Sequence, residues 1–203
     1  PAKLLESHKV QSTKIYDRTG QTLLYEVSGD ERRTVVRIED IPKHVQQATI
    51  AIEDRKFYEH KGIRITSVIR AILVDVLSGT KKQGASTITQ QLVKNAILTN
   101  EKRITRKLKE IVLSYQIERK LSKDQILGLY FNEIPYGNTA YGIETASRQF
   151  FGKSVKDIDL AEGARLAALP QAPTRYSPYG NRTDELEARR RLVLQKMVDE
   201  GYV

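Results

Sequence analysis

The chain lacks cysteine, contains only three histidines and has no long apolar run, and each of these scarcities excludes a class of protein or site. Without cysteine there is no disulfide scaffold, thiolate nucleophile or cysteine-built zinc site, although the cellular compartment stays open. Three histidines are few for a zinc site, even for one that carboxylates would complete. No segment runs for about 18 residues without a charge, so no transmembrane helix is predicted. The chain starts at Pro1, without an initiator Met or an apolar signal segment, and we expect an excised domain or a processed product.

Positive charge, by contrast, is in excess. The 203 residues include 34 Lys and Arg against 25 Asp and Glu, which gives a net charge of +9. This length predicts a single domain over residues 1–203. The charge indicates an anionic partner, which can be a nucleic acid, an anionic lipid surface or a phosphorylated substrate. Composition alone does not choose among the three.

The only convincing β pattern lies in the first forty residues. Residues 14–16 and 22–27 are apolar and β-branched and flank a turn that contains Gly20, which predicts a β-hairpin. Residues 34–38 could add a third strand. From Pro42 onward the pattern is helical throughout, so the predicted fold class is mainly α with a small N-terminal β hairpin.

Helix signals in the second half of the chain are explicit. Apolar residues at helical spacing predict an amphipathic helix over residues 102–120. Ser122 to Gln125 and Asp159 to Glu162 resemble capping boxes, which satisfy amides at a helix start. A last helix is predicted from about Thr183 to Glu200, since Gly201 follows.

Residues 63–77 form an apolar stripe that Arg70 and Asp75 interrupt. The segment is too short and too charged to span a bilayer, but it suits either a core helix or a helix lying in the membrane interface. On the residues alone the core helix is favoured. A small, basic loop follows at residues 78–84.

Two segments offer groups for catalysis or binding. Residues 53–60 place acids and bases around two aromatic residues, either as a solvated face or as a carboxylate at the mouth of a cleft, with Glu53 first. In residues 84–95, Thr87 and Gln90 fit a capping box, and Thr87, Gln91 and Lys94 share one helical face. That face suits sugar hydroxyls or phosphate oxygens, whereas the alternative is an ordinary capped surface helix.

A third cluster consists of Arg103, Arg106, Lys107 and Glu110. Ion pairs along the helix explain it in part, at about 0.2–0.5 kcal/mol each. Cations in the first turns of a helix nevertheless oppose the helix dipole, which suggests an external anion such as a diphosphate. Glu53 and Glu110 together are typical of a glycoside hydrolase, but a diphosphate site fits a transferase better.

These residues resemble the peptidoglycan glycosyltransferases, family 51, which occur as monofunctional enzymes and in class A penicillin-binding proteins. The resemblance covers residues 14–203, with Phe131 and Phe150 where Leu and Tyr are expected. The stretch Ser86 to Leu92 is its most specific part. The matching blocks are residues 53–62, 84–95, 106–110, 123–132, 141–153 and 168–178.

The resemblance implies a lysozyme-like, two-lobed helical domain with a small membrane-facing lobe at roughly residues 63–84. It therefore favours the interfacial interpretation of the helix over residues 63–77. It also implies that lipid II and a growing lipid-linked glycan chain are joined by β-1,4 bonds, with release of undecaprenyl diphosphate. The bacterial cell membrane, at its extracytoplasmic face, is the expected location, and fusion to a transpeptidase domain is expected in the parent chain.

The same resemblance assigns roles to single residues. Glu53 becomes the general base, while Lys94, Arg106 and Lys107 stabilise the leaving group and Glu110 organises the cations or the donor sugar. No cofactor is required and no dedicated metal ligands are seen, although Mg or Mn at the diphosphate is compatible with this scheme. The remaining residues expected to bind substrate or shape the pocket are Asp54, Phe57, His60, Ser86, Thr87, Gln91, Asn95 and Arg103.

Two other functions stay open on the sequence. A muramidase-type hydrolase would use the same two carboxylates on a lysozyme-like scaffold. Nucleic-acid binding has only the net charge in its favour, since no helix-turn-helix, stacking-aromatic or zinc-finger pattern is found, and it is not expected.

Overall fold

The structure is a computed structural model that describes residues 13–16, 18–19, 21, 23–27, 32–63, 86–98 and 103–203. The predicted hairpin is present: β1 (Thr13–Tyr16) pairs antiparallel with β2 (Leu23–Val27), with Ile15 opposite Tyr25. The predicted membrane-facing lobe at residues 63–84 and its apolar helix lie outside the described residues, apart from Ile63.

A second, three-stranded sheet departs from the prediction. It consists of β3 (Arg32–Arg33), β4 (Pro135–Gly137) and β5 (Ala140–Tyr141), in the order β3-β5-β4. The sheet is mixed, since β3 is parallel and β4 antiparallel to β5. The expectation that the chain is helical throughout after Pro42 was therefore wrong at this small ribbon, whose strands are too short to show an alternating pattern.

The predicted third strand over residues 34–38 was also wrong. Only Arg32 and Arg33 pair as a strand, and a 3-10 helix begins at Ile38. Between Arg33 and Ile38, side chains accept the backbone hydrogen bonds that a partner strand would otherwise accept. The Thr34 amide donates to Thr145 Oγ1 at 2.8 Å, and the Val36 amide donates to Asn132 Oδ1 at 2.9 Å.

Seven α-helices account for most of the described residues, so the predicted mainly α class is confirmed. Full capping boxes begin three of them, at Thr87, Ser122 and Asp159, as the sequence predicted. The helices are α1 (Lys43–Glu53), α2 (Ile88–Ala96), α3 (Arg103–Glu118), α4 (Lys123–Glu133), α5 (Ile143–Phe151), α6 (Leu160–Ala168) and α7 (Thr183–Asp199).

The helices pack in two groups, and α1 belongs to one of them. It lies against α6 and α7, while α2 packs against α3 and α4. Val45 and Ala48 of α1, Leu92 of α2, Tyr130 of α4 and Met197 of α7 are all fully buried in one continuous core. The carboxyl end of α1, at Glu53, therefore emerges between the two groups of helices.

Helix α3 buries two polar residues and exposes several apolar ones. Glu110 and Ser114 are buried, whereas Leu108, Val112 and Tyr115 are 60%, 55% and 48% exposed. An amphipathic helix was predicted correctly, but most of its apolar stripe faces outward. Among the described residues, no helix is both long and apolar enough to cross a membrane.

Candidate active site

A cavity of about 570 Å³ opens where the end of α1 meets helix α2 and the middle of α3. One wall comes from α2 and α3, and the opposite wall from the segment after α4, the loop after α6 and helix α7. The cavity is lined by Ile52, Glu53, Ser86, Gln90, Gln91, Lys94, Asn95, Glu110, Ile134, Pro135, Pro170, Gln171, Pro173 and Arg189.

Glu53, the last residue of α1, is held from two sides. The Gln91 side-chain amide donates to Glu53 Oε2 at 2.7 Å, and Arg189 Nη2 lies 3.4 Å from Glu53 Oε1. The Tyr130 hydroxyl donates to Gln91 Oε1 at 3.4 Å, which orients the amide. The Glu53 side chain is only 10% exposed, so its two oxygens have defined partners in a site with little access to water.

The surroundings of Glu53 shift the pKa of its carboxyl upward on balance. Burial raises the pKa of the Glu53 carboxyl, whereas the hydrogen bond from Gln91 and the charge of Arg189 oppose the rise. Burial, reinforced by the charge of Glu53, also raises the pKa of Tyr130 and of Tyr136. Both tyrosines are therefore neutral at physiological pH. Glu53 has little contact with solvent, and its raised pKa makes its carboxylate a stronger base.

The second carboxylate, Glu110, lies on α3 beside two of the predicted cations. Lys107 Nζ donates to Glu110 Oε2 at 2.8 Å, and Arg106 Nε is 3.6 Å from Oε1. Lys107 also donates to Ser86 Oγ at 3.1 Å, which links α3 to the segment before α2. The structure thus gathers Arg106, Lys107 and Glu110 as the helical spacing predicted, while Arg103 is described only as the first residue of α3.

The polar face of α2 is divided differently from the prediction. Gln91, Lys94 and Asn95 line the cavity. Thr87 does not share this surface, because it is the buried N-cap of the helix: its hydroxyl accepts from the Gln90 amide and donates to the Gly62 carbonyl at 2.7 Å. The expected shared face therefore holds for Gln91 and Lys94 and was wrong for Thr87, since the capping geometry turns that side chain back on the chain.

Three other predicted pocket residues lie behind the cavity rather than along it. Asp54 Oδ2 accepts from the Ile88 amide at 3.2 Å and is 2.7 Å from His60 Nε2. Since the Gly62 amide donates to His60 Nδ1, Nε2 carries the proton given to Asp54. Phe57 is fully buried. These residues fasten the end of α1 to the start of α2 and so set the position of Glu53.

The sequence interpretation missed the far wall of the cavity. Pro170, Gln171 and Pro173 belong to the matching block 168–178, yet no role in the site was assigned to them. Arg189 was missed as well, because Arg189, Arg190 and Arg191 are consecutive and periodicity in a charged run does not show which one turns inward.

Within the described part of the chain, no group of three or more His, Asp or Glu residues is arranged to hold a metal ion. The Glu53 and Glu110 oxygens are already engaged by Gln91, Arg189 and Lys107. A divalent cation at a bound diphosphate stays a prediction.

Known proteins match almost the whole chain. The transglycosylase family model matches residues 20–198. Penicillin-binding protein 1F of Bacillus subtilis is 46% identical over 194 residues, covering 95% of this chain and 26% of that protein. Penicillin-binding protein 1A of Aquifex aeolicus is 46% identical over 202 residues, covering 99% and 27%.

A solved structure is similar in fold. The crystal structure of penicillin-binding protein 1A from Haemophilus influenzae matches with a TM-score of 0.52 and 27% identity, over 95% of this chain and 19% of that one. The chain spans about a quarter of the length of the curated relatives named above. The resemblance found in the sequence motifs is confirmed, and the chain belongs to the transglycosylase family.

Proposed function

We propose that this chain is a peptidoglycan glycosyltransferase that polymerises lipid II into β-1,4-linked glycan strands and releases undecaprenyl diphosphate. The observation that carries the proposal is a single cavity lined by a buried, positioned carboxylate, Glu53, together with the cation Lys94 and the cation-bound carboxylate Glu110. Family membership supports glycosyl transfer, and the names of the relatives supply the peptidoglycan context.

In the proposed reaction, Glu53 removes the proton from the 4-hydroxyl of the acceptor sugar. The freed oxygen attacks the anomeric carbon of the donor, the bond from that carbon to the diphosphate oxygen breaks, and its electron pair leaves with undecaprenyl diphosphate. Attack opposite the leaving group inverts the anomeric centre. Oε1 of Glu53 is the proposed proton acceptor, because Oε2 already receives the short bond from Gln91, whereas Arg189 stands 3.4 Å from Oε1.

The leaving diphosphate needs positive charge where its bond breaks. Lys94 is an exposed cation on the cavity wall, and Lys107 and Arg106 pair with Glu110, which lines the same cavity. We assign these three cations to the diphosphate. Glu110 then holds Lys107 in place, and Ser86 accepts a second hydrogen bond from the same ammonium group.

The runner-up is a muramidase-type hydrolase, which two carboxylates in one cavity would suit. Such an enzyme needs one carboxylic acid that donates a proton to the leaving sugar oxygen. Glu53, whose pKa is raised by burial, would suit that task, but the second carboxylate would then be Glu110, whose Oε2 accepts from Lys107 at 2.8 Å and whose Oε1 faces Arg106. The cations around Glu110 therefore favour transfer from a diphosphate-linked donor.

The decisive experiment incubates the purified protein with lipid II and resolves the products by gel electrophoresis. We expect long glycan strands, and we expect Glu53→Gln to reduce polymerisation by about 10²–10⁴-fold with an unchanged circular dichroism spectrum. Glu59→Gln is the matched control, since Glu59 is an exposed carboxylate whose ion-pair partner among the described residues is Lys56. Near-normal polymerisation by Glu53→Gln would refute the base, and soluble fragments from preformed sacculi without use of lipid II would favour the hydrolase.

We further propose that the domain works against the extracytoplasmic face of the bacterial membrane. The exposed apolar residues Leu108, Val112 and Tyr115 support this, because α3 also lends Glu110 to the cavity and Lys109 lies beside the stripe. An apolar face with flanking cations suits a membrane interface. Fusion to a transpeptidase domain in the parent chain is proposed from the penicillin-binding proteins, of which this chain matches about a quarter.

A further inference from the structure

Arg189 enters the cavity from α7, 136 residues away from Glu53 in the chain. Its side chain is only 12% exposed and makes three contacts. Nε donates to the Ala168 carbonyl at 2.9 Å, the guanidinium carbon lies 5.6 Å from the centre of the Tyr176 ring, and Nη2 is 3.4 Å from Glu53 Oε1. The guanidinium group is therefore fixed in direction before any substrate arrives.

We propose that Arg189 is a positioning residue, which keeps Glu53 ionised and turned toward the acceptor hydroxyl. The inference rests on the proposed role of Glu53 as the general base. It gives helix α7 a role in the reaction, although α7 lies outside the motifs around Glu53 and Glu110.

The first argument concerns charge. Glu53 faces Asp54 at the end of its own helix, Tyr130 from α4, Tyr136 from β4 and Arg189 from α7. Asp54 opposes ionisation of Glu53, and the two tyrosines are neutral. Within the described residues, Arg189 is the cation that forms an ion pair with Glu53. The more distant charged groups lining the same cavity are Lys94 and Glu110.

The second argument concerns how the two oxygens are shared. Gln91 takes Oε2 with a bond of 2.7 Å, which fixes the plane of the carboxylate. Arg189 stands farther away, at 3.4 Å from Oε1. At that distance the positive charge stabilises the carboxylate, yet Oε1 stays able to accept a proton. A closer partner would compete for the lone pair that the reaction needs.

The third argument concerns the shape of the guanidinium group. Its planar fork serves the Ala168 carbonyl with one nitrogen and Glu53 with another, while its face lies against Tyr176. A lysine carries the same charge as a single point and cannot reproduce this geometry. Charge and orientation can thus be separated by substitution.

The experiment compares Arg189→Gln, Arg189→Lys and the matched control Arg191→Gln in the 203-residue protein. Arg191 lies two residues after Arg189, is 76% exposed and pairs with Glu187 on the surface, so its loss removes the same charge outside the cavity. Polymerisation of lipid II is measured from pH 4.5 to 9. In parallel, the Glu53 carboxyl is titrated by carbon NMR with labelled glutamate, and Glu53→Gln assigns the resonance.

For Arg189→Gln we expect the acidic limb of the kcat profile to move up by about one pH unit or more, as expected for loss of a cation near a carboxylate. The NMR titration moves in the same direction, KM changes less than kcat, and activity recovers partly at high pH. Arg189→Lys moves the acidic limb less than Arg189→Gln does but still lowers kcat, and Arg191→Gln matches the wild type.

An acidic limb and a Glu53 titration that both stay at the wild-type pH in Arg189→Gln would overturn the inference, as would a rise in KM with kcat unchanged. If Arg189→Gln does not fold by circular dichroism, Arg189→Lys decides: wild-type kcat in that variant refutes the positioning role. If the wild-type protein makes no polymer, the proposed function fails, while the NMR titration still reports on the pairing of Arg189 with Glu53.

Discussion

Replacement of Glu53 by Gln should stabilise the fold at neutral pH while it removes activity. Burial raises the pKa of Glu53 above its value of about 4.3 in an unfolded chain, and Gln91 and Arg189 reduce this rise without cancelling it. Between the unfolded and the folded pKa the native state binds more protons than the unfolded state. Stability therefore falls as the pH rises through that window.

The magnitude follows from the linkage between pKa and stability. Each pKa unit between the folded and unfolded states corresponds to about 1.4 kcal/mol. Gln has the shape of Glu without the charge, and its side-chain oxygen still accepts the hydrogen bond from Gln91. Arg189 loses the negative charge of its partner, but the attraction between Arg189 and Glu53 is already part of the net rise in the pKa of Glu53. We expect Glu53→Gln to raise both the free energy of unfolding and Tm at pH 7, because the amide carries no charge whose burial opposes folding.

The assay is thermal or urea unfolding, followed by circular dichroism, of both proteins from pH 4 to 8. The advantage of Glu53→Gln should shrink as the pH falls and vanish near pH 4, where Glu53 is protonated in the native state and largely so in the unfolded state. Glu59→Gln provides the control, since an exposed substitution should change stability by less than about 0.5 kcal/mol. A destabilised Glu53→Gln at pH 7, or a difference independent of pH, would refute this reasoning.

Two further predictions concern the supports of the site. Thr87→Ala removes both the cap on α2 and the buried hydrogen bond to Gly62, so it should lower the free energy of unfolding in urea by about 1–3 kcal/mol. Thr87→Ser keeps the hydroxyl and should retain most of that stability. Equal stability of the two variants would contradict the capping role. Leu108→Asp should weaken sedimentation with anionic lipid vesicles by about tenfold, the equivalent of about 1.4 kcal/mol, because it places a carboxylate in the exposed stripe of α3. Leu192→Asp is the control on an exposed leucine of α7, and equal vesicle binding by both variants would argue against α3 as the contact.

Local sequence determined the parts of this protein that depend on neighbours within a few residues. The capping boxes at Thr87, Ser122 and Asp159 each join side chains and amides three residues apart, so their residue types alone predict the helix starts. The cluster of Arg106, Lys107 and Glu110 also follows from helical spacing. The ordered motifs then identified the family, because few folds require these residue types at these intervals.

Tertiary structure decided what depends on distant parts of the chain. Asn132 and Thr145 take the place of a strand partner for residues 34–36, about a hundred positions away, which is why the predicted third strand does not form. The stripe on α3 faces outward while Glu110 and Ser114 on the other side of the helix are buried, and spacing alone does not tell which face meets the core.

The clearest case is the partnership of Glu53 with Arg189. A rule based on local sequence cannot distinguish three consecutive arginines. Only the packing of α7 against α1 selects the one that reaches the carboxylate. A sequence pattern can thus name the acid in the active site. Only the three-dimensional arrangement sets how far that acid is buried and which charges face it, and these decide when it holds a proton.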